Sequence, residues 1–231
     1  MPVLSRFFLR AALPAVLAVL LAAPASWAMI PTINCHCFQD RAYDPSRPSA
    51  ADAYFLASAQ NTLLAVVFER SKRDVVLAKQ GGTSNDDLWI AYRAAQISDL
   101  SPGTLLGERR RAAHWGEVLT RNGIELAVPG VNPQDGWDEA LARAILEQVL
   151  AERGLATPAV LAQLRAAGCG PQETILALLL ARAGGRPAFA IVHQVKEQNQ
   201  PWGELLAQAG LADDLGAAVR QAVQTSPGEG N

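Results

Sequence analysis

Two stretches of this chain read alike: His114-Trp-Gly-Glu-Val-Leu-Thr-Arg-Asn-Gly-Ile124 and Pro201-Trp-Gly-Glu-Leu-Leu-Ala-Gln-Ala-Gly-Leu211. Trp115 and Trp202 lie 87 positions apart, and the offset holds without a gap back to Leu77 and Leu164. Across the fifty positions from Val75 that this offset aligns, eight are identical, and five of the eight fall inside the Trp-Gly-Glu run. Self-similarity at one fixed period constrains architecture more than any local propensity, because a copied stretch tends to keep the packing problem of its original. The expectation is an all-α protein built from two tandem pseudo-repeated bundles of about five short helices each.

The chain in order fits that reading. Residues 29–51 hold Pro31, Pro45 and Pro48 with no helical period, and form an irregular leader. From Asp52, the expected N-cap, Phe55, Ala59, Leu63 and Val66 recur at helical spacing to about Glu69. Arg73–Gln80 makes a second helix, stopped by Gly81-Gly82. Ser84 or Asn85 caps a third, with Leu88, Ala91, Tyr92 and Ala95 on one face. Ser101-Pro102 opens a fourth, ending at Arg109-Arg-Arg111, and Trp115–Asn122 is the fifth. Unit one thus spans residues 52–124, and the turn-rich residues 125–136 form a connector. Unit two spans residues 137–211, its helices opening near Trp137, Thr157-Pro158, Gly170-Pro171, Arg186-Pro187 and Pro201-Trp202. The fourth of these carries Phe189, Val192 and Val195 as its apolar stripe. Residues 212–225 form a C-terminal capping helix without a counterpart, and residues 226–231 a disordered tail.

The first 28 residues read as a cleavable signal peptide. Arg6 and Arg10 precede the apolar run Ala11–Ala23, and Ser26 and Ala28 supply small residues at the −3 and −1 positions of a cleavage site. The run is short for a spanning helix, and no lipobox precedes Cys35; a retained N-terminal anchor is the alternative. Cleavage leaves 203 residues with a formal net charge of −4, since the segment removed holds two arginines and no acidic residue. The expected location is periplasmic or secreted. Mild acidity opposes a nucleic-acid partner, and no later segment has the apolar length of a membrane span.

Each residue of the repeated motif has a structural reason. Trp115 and Trp202, in the first turn of a short helix, can bury a large ring, and Gly116 and Gly203 let a backbone approach closely. Glu117 and Glu204 meet the positive end of the helix dipole; the functional alternative has them converging on one cation or ligand between the copies. The run also resembles the helix-turn-helix of sigma-factor-like regulators, which would imply DNA contact; export and the acidic balance oppose it. Arg109-Arg-Arg111, the one basic cluster, reads as a solvated helix end.

Cys35-His36-Cys37 is the most reactive triplet, and Cys169 is the only other cysteine. The spacing fits neither a c-type haem site nor a Cys-x-x-Cys redox pair. In an oxidising compartment one disulfide is expected, Cys35 or Cys37 to Cys169, tying the leader to the second unit; a Cys35–Cys37 bond would close a cramped ring. The alternative is a Cu or Zn site using Cys35, His36 and Cys37, with His114 or His193 as further ligands. No catalytic residue is identified, because no nucleophile, zincin or phosphate-loop motif occurs. The expected function is an exported helical module that binds a protein or small ligand, in the groove between the copies; the rival is a metal- or thiol-handling protein.

Overall fold

Hydroxyl side chains set where several helices begin. Ser71, Ser84, Ser101 and Thr157 each accept a hydrogen bond from the backbone N–H three residues on, at Asp74, Asp87, Thr104 and Val160. That bond satisfies a donor the helix itself leaves free. The computed structural model describes residues 38–133 and 137–224. Among them the chain is wholly helical, without strands: α1 Asp52–Val67, α2 Lys72–Gln80, α3 Asn85–Gln96, α4 Pro102–Arg109, α5 Trp115–Arg121, α6 Asp138–Glu152, α7 Pro158–Ala166, α8 Pro171–Gly184, α9 Ala188–Glu197, α10 Trp202–Gln208 and α11 Leu215–Gln224. The expected signal peptide, the cysteines of the leader, and the tail lie outside the described residues. The described part of the leader, 38–51, is a series of turns, with Phe38 edge-on to Tyr54 at a centroid distance of 5.8 Å.

The packing departs from two side-by-side bundles. α1 makes its largest contacts with α11 and α8, and the largest contact of α3 is with α6. Each half therefore gives its long first helix to the other half, and the expected units 52–124 and 137–211 share one continuous core. Bonds between the halves follow the same lines: Arg93 on α3 pairs with Glu152 on α6 at 2.8 Å, and Arg153 donates to the Val67 carbonyl at 3.4 Å. The last helix does more than close an end, because α11 is the main packing partner of α1.

Being enclosed changes α1 itself. Residues Ala57 to Ala65 are all buried, including Ser58, Gln60, Asn61 and Thr62, so the middle of the helix has no wet side. The expected stripe captured Phe55, Ala59 and Leu63, but Val66 is only partly buried. A stripe describes a helix with one face on the core, whereas a helix packed by α2, α8, α10 and α11 buries its polar positions too. Three of those polar groups have partners: Thr62 Oγ1 donates to the Ser58 carbonyl at 2.8 Å, Lys72 Nζ to Ser58 Oγ at 2.8 Å, and Lys79 Nζ to Asn61 Oδ1 at 2.9 Å, while the buried Gln60 Oε1 has none among the described residues.

Lys79 is the exceptional member. Its side chain is buried, and burial pushes the ammonium down to about 8. An amine held below its ordinary range favours the folded state once it is neutral, and that advantage fades as the pH falls through about 8. Stability against urea should therefore rise between pH 8 and pH 10 by about 1–3 kcal/mol. Lys79→Met should lose this rise while folding at neutral pH, and an unchanged slope in the variant would place the titration elsewhere.

Candidate functional site

The two Trp-Gly-Glu helices, α5 and α10, begin in equivalent settings. Trp202 N–H donates to Asp52 Oδ2 at 3.1 Å and Gly203 N–H to Asp52 Oδ1 at 2.7 Å. At the other junction Trp115 N–H donates to Asp138 Oδ1 at 2.9 Å. Asp52 and Asp138 are the first residues of α1 and α6, so each carboxylate sits between two positive helix ends. Asp52 thus serves α10 and does not cap its own helix: the residue before α1 is Ala51, with no side-chain cap bond. Burial raises the Asp52 carboxyl even though two backbone N–H groups pull the other way.

Both tryptophans are buried, and the glycine beside each touches a backbone from the segment leading into the partner helix. A Cβ on Gly116 would overlap the Pro133 carbonyl oxygen, and one on Gly203 would sit 3.0 Å from the Pro48 carbonyl oxygen. Glu117 and Glu204 do not converge. Glu117 accepts from Ala113 N–H at 3.3 Å and lies 3.8 Å from His114 Nε2, while Glu204 accepts from Gln200 and Gln208 at 3.3 and 3.0 Å. Each carboxylate bonds within its own helix and the turn before it.

The α5 junction is the more polar of the two. Asp87 receives the Trp115 indole N–H at 2.8 Å and the Ser84 hydroxyl at 2.7 Å. Arg109 bridges Asp138 at 2.8 Å and Asp87 at 3.5 Å, and donates to the Ala112 carbonyl at 2.9 Å. Arg109 is therefore a structural cation, not a solvated end, because it neutralises two carboxylates that the helix N-termini have drawn together. Asp86, next door, is pushed up to about 6 by burial and then by Glu139, Asp87 and Asp138, with Arg143 opposing. This junction is closed by charged hydrogen bonds, although the buried Arg109 Nε and His114 Nδ1 have no hydrogen-bond partner among the described residues.

An apolar concavity of ligand size lies elsewhere. A groove of about 650 Å³ runs between α7 and α9, lined by Gln163, Ala166, Ala167, Pro187, Phe189, Val192 and His193, with Lys196 and Glu197 at its end. Its wall is mainly apolar, and Phe189 is 51% exposed rather than turned into the core. Lys196 is already engaged, donating to the Gly168 carbonyl at 2.7 Å and pairing with Glu173 at 3.4 Å. The sequence placed Phe189 with the core residues; the signal available was that Phe189, Val192, His193 and Lys196 follow the i, i+3, i+4, i+7 spacing of one helical face. The groove belongs to one half and does not run between the halves.

Cys169 is buried in the turn between α7 and α8, where its carbonyl accepts from Arg143 at 3.3 Å and burial raises its thiol. It forms no disulfide among the described residues, and Cys35, His36 and Cys37 lie outside them. No group of three or more metal-ligating side chains occurs among the described residues. His114 and His193 are far apart in role: the first is the N-cap residue of α5, the second lines the groove. No known protein family, curated protein or solved structure matches the chain.

Two consequences are measurable. Gly116→Ala should lower stability by about 2–3 kcal/mol, since backbone must move, and Gly203→Ala by less; thermal melts showing the reverse order would contradict the contacts described. A carboxyl held above its usual range favours folding below about pH 4 and loses that advantage as the pH rises through about 6. Asp86→Asn should therefore melt higher than wild type at pH 7, by about 1–2 kcal/mol after solvent screening, with the difference vanishing at pH 4.

Proposed function

We propose that the protein is an exported helical binding module whose ligand seat is the α7–α9 groove, and that it takes an uncharged apolar ligand. The observation that carries this is an apolar groove with Phe189 half exposed on its wall. Its volume of about 650 Å³ falls in the range of small-molecule sites. The ligand is uncharged because the wall is mainly apolar and the charged residues sit at its end, where Lys196 is bound to Gly168 and Glu173 beside Glu197, which leaves His193 and Gln163 as orienting polar groups. Export is supported by the basic start, the short apolar run and the small residues before Met29.

The same reading includes a tandem duplication followed by exchange of first helices. It is supported by the helix ends, which repeat to within a residue or two at the offset of 87, as with Trp115–Arg121 and Trp202–Gln208. It is supported also by the paired contacts, Asp138 to Trp115 and Asp52 to Trp202, Pro133 to Gly116 and Pro48 to Gly203. In such a protein the motif residues maintain the junctions, and the ligand is bound where the copies have diverged.

The test uses the full chain expressed in a Gram-negative host and purified from the periplasm, with intact mass reporting an N-terminus at Met29. Titration with the uncharged probe N-phenyl-1-naphthylamine should give saturable fluorescence enhancement. Ala166→Trp, which fills the groove from an exposed position, should weaken it about tenfold with no change in melting temperature. Equal binding by the variant, or no saturable binding by wild type, would overturn the assignment.

A further inference from the structure

The α7–α9 groove has two unlike ends, and the difference starts from two prolines. In a continuing helix each carbonyl accepts from the N–H four residues on. Pro171 and Pro201 have no N–H, so the carbonyls four positions before them, at Ala167 and Glu197, lose that partner. Ala167 is the C-cap residue of α7 and Glu197 the last residue of α9, and both line the groove. Their neighbours Ala166 and Lys196 line it as well. Among the described residues, none of these four carbonyls accepts a hydrogen bond. Carbonyls without an internal partner are left to water, or to whatever displaces it.

The two helix ends lie together. Lys196 Nζ donates at 2.7 Å to the carbonyl of Gly168, the residue after the α7 C-cap, so the C-termini of α7 and α9 meet at one end of the groove. Helix C-termini carry partial negative charge, and Glu197 adds an exposed carboxylate with no ion-pair partner. Lys196 is drawn to Gly168 and, at 3.4 Å, to Glu173. A carboxylate head placed here meets Glu197 and both helix ends, and an ammonium head meets Lys196. A neutral head that donates hydrogen bonds meets carbonyls that lack a partner. Away from this end the wall is apolar: Phe189 stands eight positions before Glu197, about 12 Å along the α9 axis.

We infer that the ligand is a chain-like neutral amphiphile with a donor head, a medium-chain primary amide. Its –NH2 lies at the paired C-termini of α7 and α9, and its tail runs along Val192 to Phe189. The inference rests on the groove being the ligand seat and adds the head group and its direction.

The experiment measures displacement of N-phenyl-1-naphthylamine from the full chain by octanamide, N,N-dimethyloctanamide, octanoate and octylammonium. Dimethylation keeps the amide carbonyl and removes both donors. Octanamide should displace the probe at concentrations about tenfold lower than each of the other three, the difference expected from losing two hydrogen bonds or meeting one like charge. Glu197→Gln, an exposed change, should strengthen octanoate about threefold and leave octanamide unchanged. Where the probe binds wild type and is weakened by Ala166→Trp, the groove stands. Equal displacement by the amide and its dimethyl form, or by octylammonium, then overturns the head-group assignment alone, as does octanoate indifferent to Glu197→Gln. A probe that does not bind, or binds Ala166→Trp equally well, overturns the groove and this inference with it.

Discussion

Asp52 and Asp138 open the two long helices, yet each directs its carboxylate at the start of another helix from the opposite half of the chain. The rest of the structure depends on that crossing. A carboxylate placed between two helix N-termini meets the positive ends of both dipoles and satisfies N–H groups that neither helix can satisfy internally. Accepting those bonds fixes α10 against α1 and α5 against α6. The indole rings of Trp202 and Trp115 are then carried into the core, and the glycine after each must admit a backbone carbonyl at close range. The motif is therefore a joint. Its tryptophan supplies buried area, its glycine the clearance, and the partner aspartate the polar closure.

The joints are alike but their neighbourhoods are not, and that difference makes one half a candidate for binding. At α5 the indole N–H meets Asp87, and Arg109 ties Asp87 to Asp138. The residue standing at the same offset in the second half is Thr174, which is uncharged, and no comparable network forms there. On the outside, α2 packs on α1, whereas the main partner of α7 is α9. α11 covers α1 and α8 but not the α7–α9 pair. The groove lies along the α7–α9 pair, which α11 leaves uncovered.

Much of this was legible in the sequence, and what was not has a common cause. Helix starts at Ser84, Ser101 and Thr157 could be read because an N-cap acts over three residues. The partner of Asp52 could not, since it lies 150 positions away and an aspartate ahead of an apolar stripe looks like a local cap. Arg109 looked like one of three exposed arginines for the same reason: its two carboxylates belong to α3 and α6. The polar residues of α1 gave no warning of their burial, because enclosure is a property of the neighbours and not of the helix. Phe189 sits in a pattern that fits either a core stripe or an exposed wall, and only what packs beside α9 decides between them.

The crossed contacts of α1 and α6 also set what the connector must do. A chain that leaves α5 and begins α6 against α5 itself has to travel out and return, so both of its ends are fixed near the same helix. Ile124 is held by the Leu119 carbonyl at the end of α5, and Pro133 lies against Gly116 at its start. Leu119 and Gly116 are three residues apart on α5, so at 1.5 Å per residue the two anchor points are about 5 Å apart along its axis. Ten residues of extended chain cover several times that distance, so the connector must reverse, which Pro129-Gly130 provides with Gly130 at φ 77°. The outward loop of the connector is therefore a geometric consequence of how the two halves are joined, and the buried Ile124, Leu126 and Val128 hold it against the core.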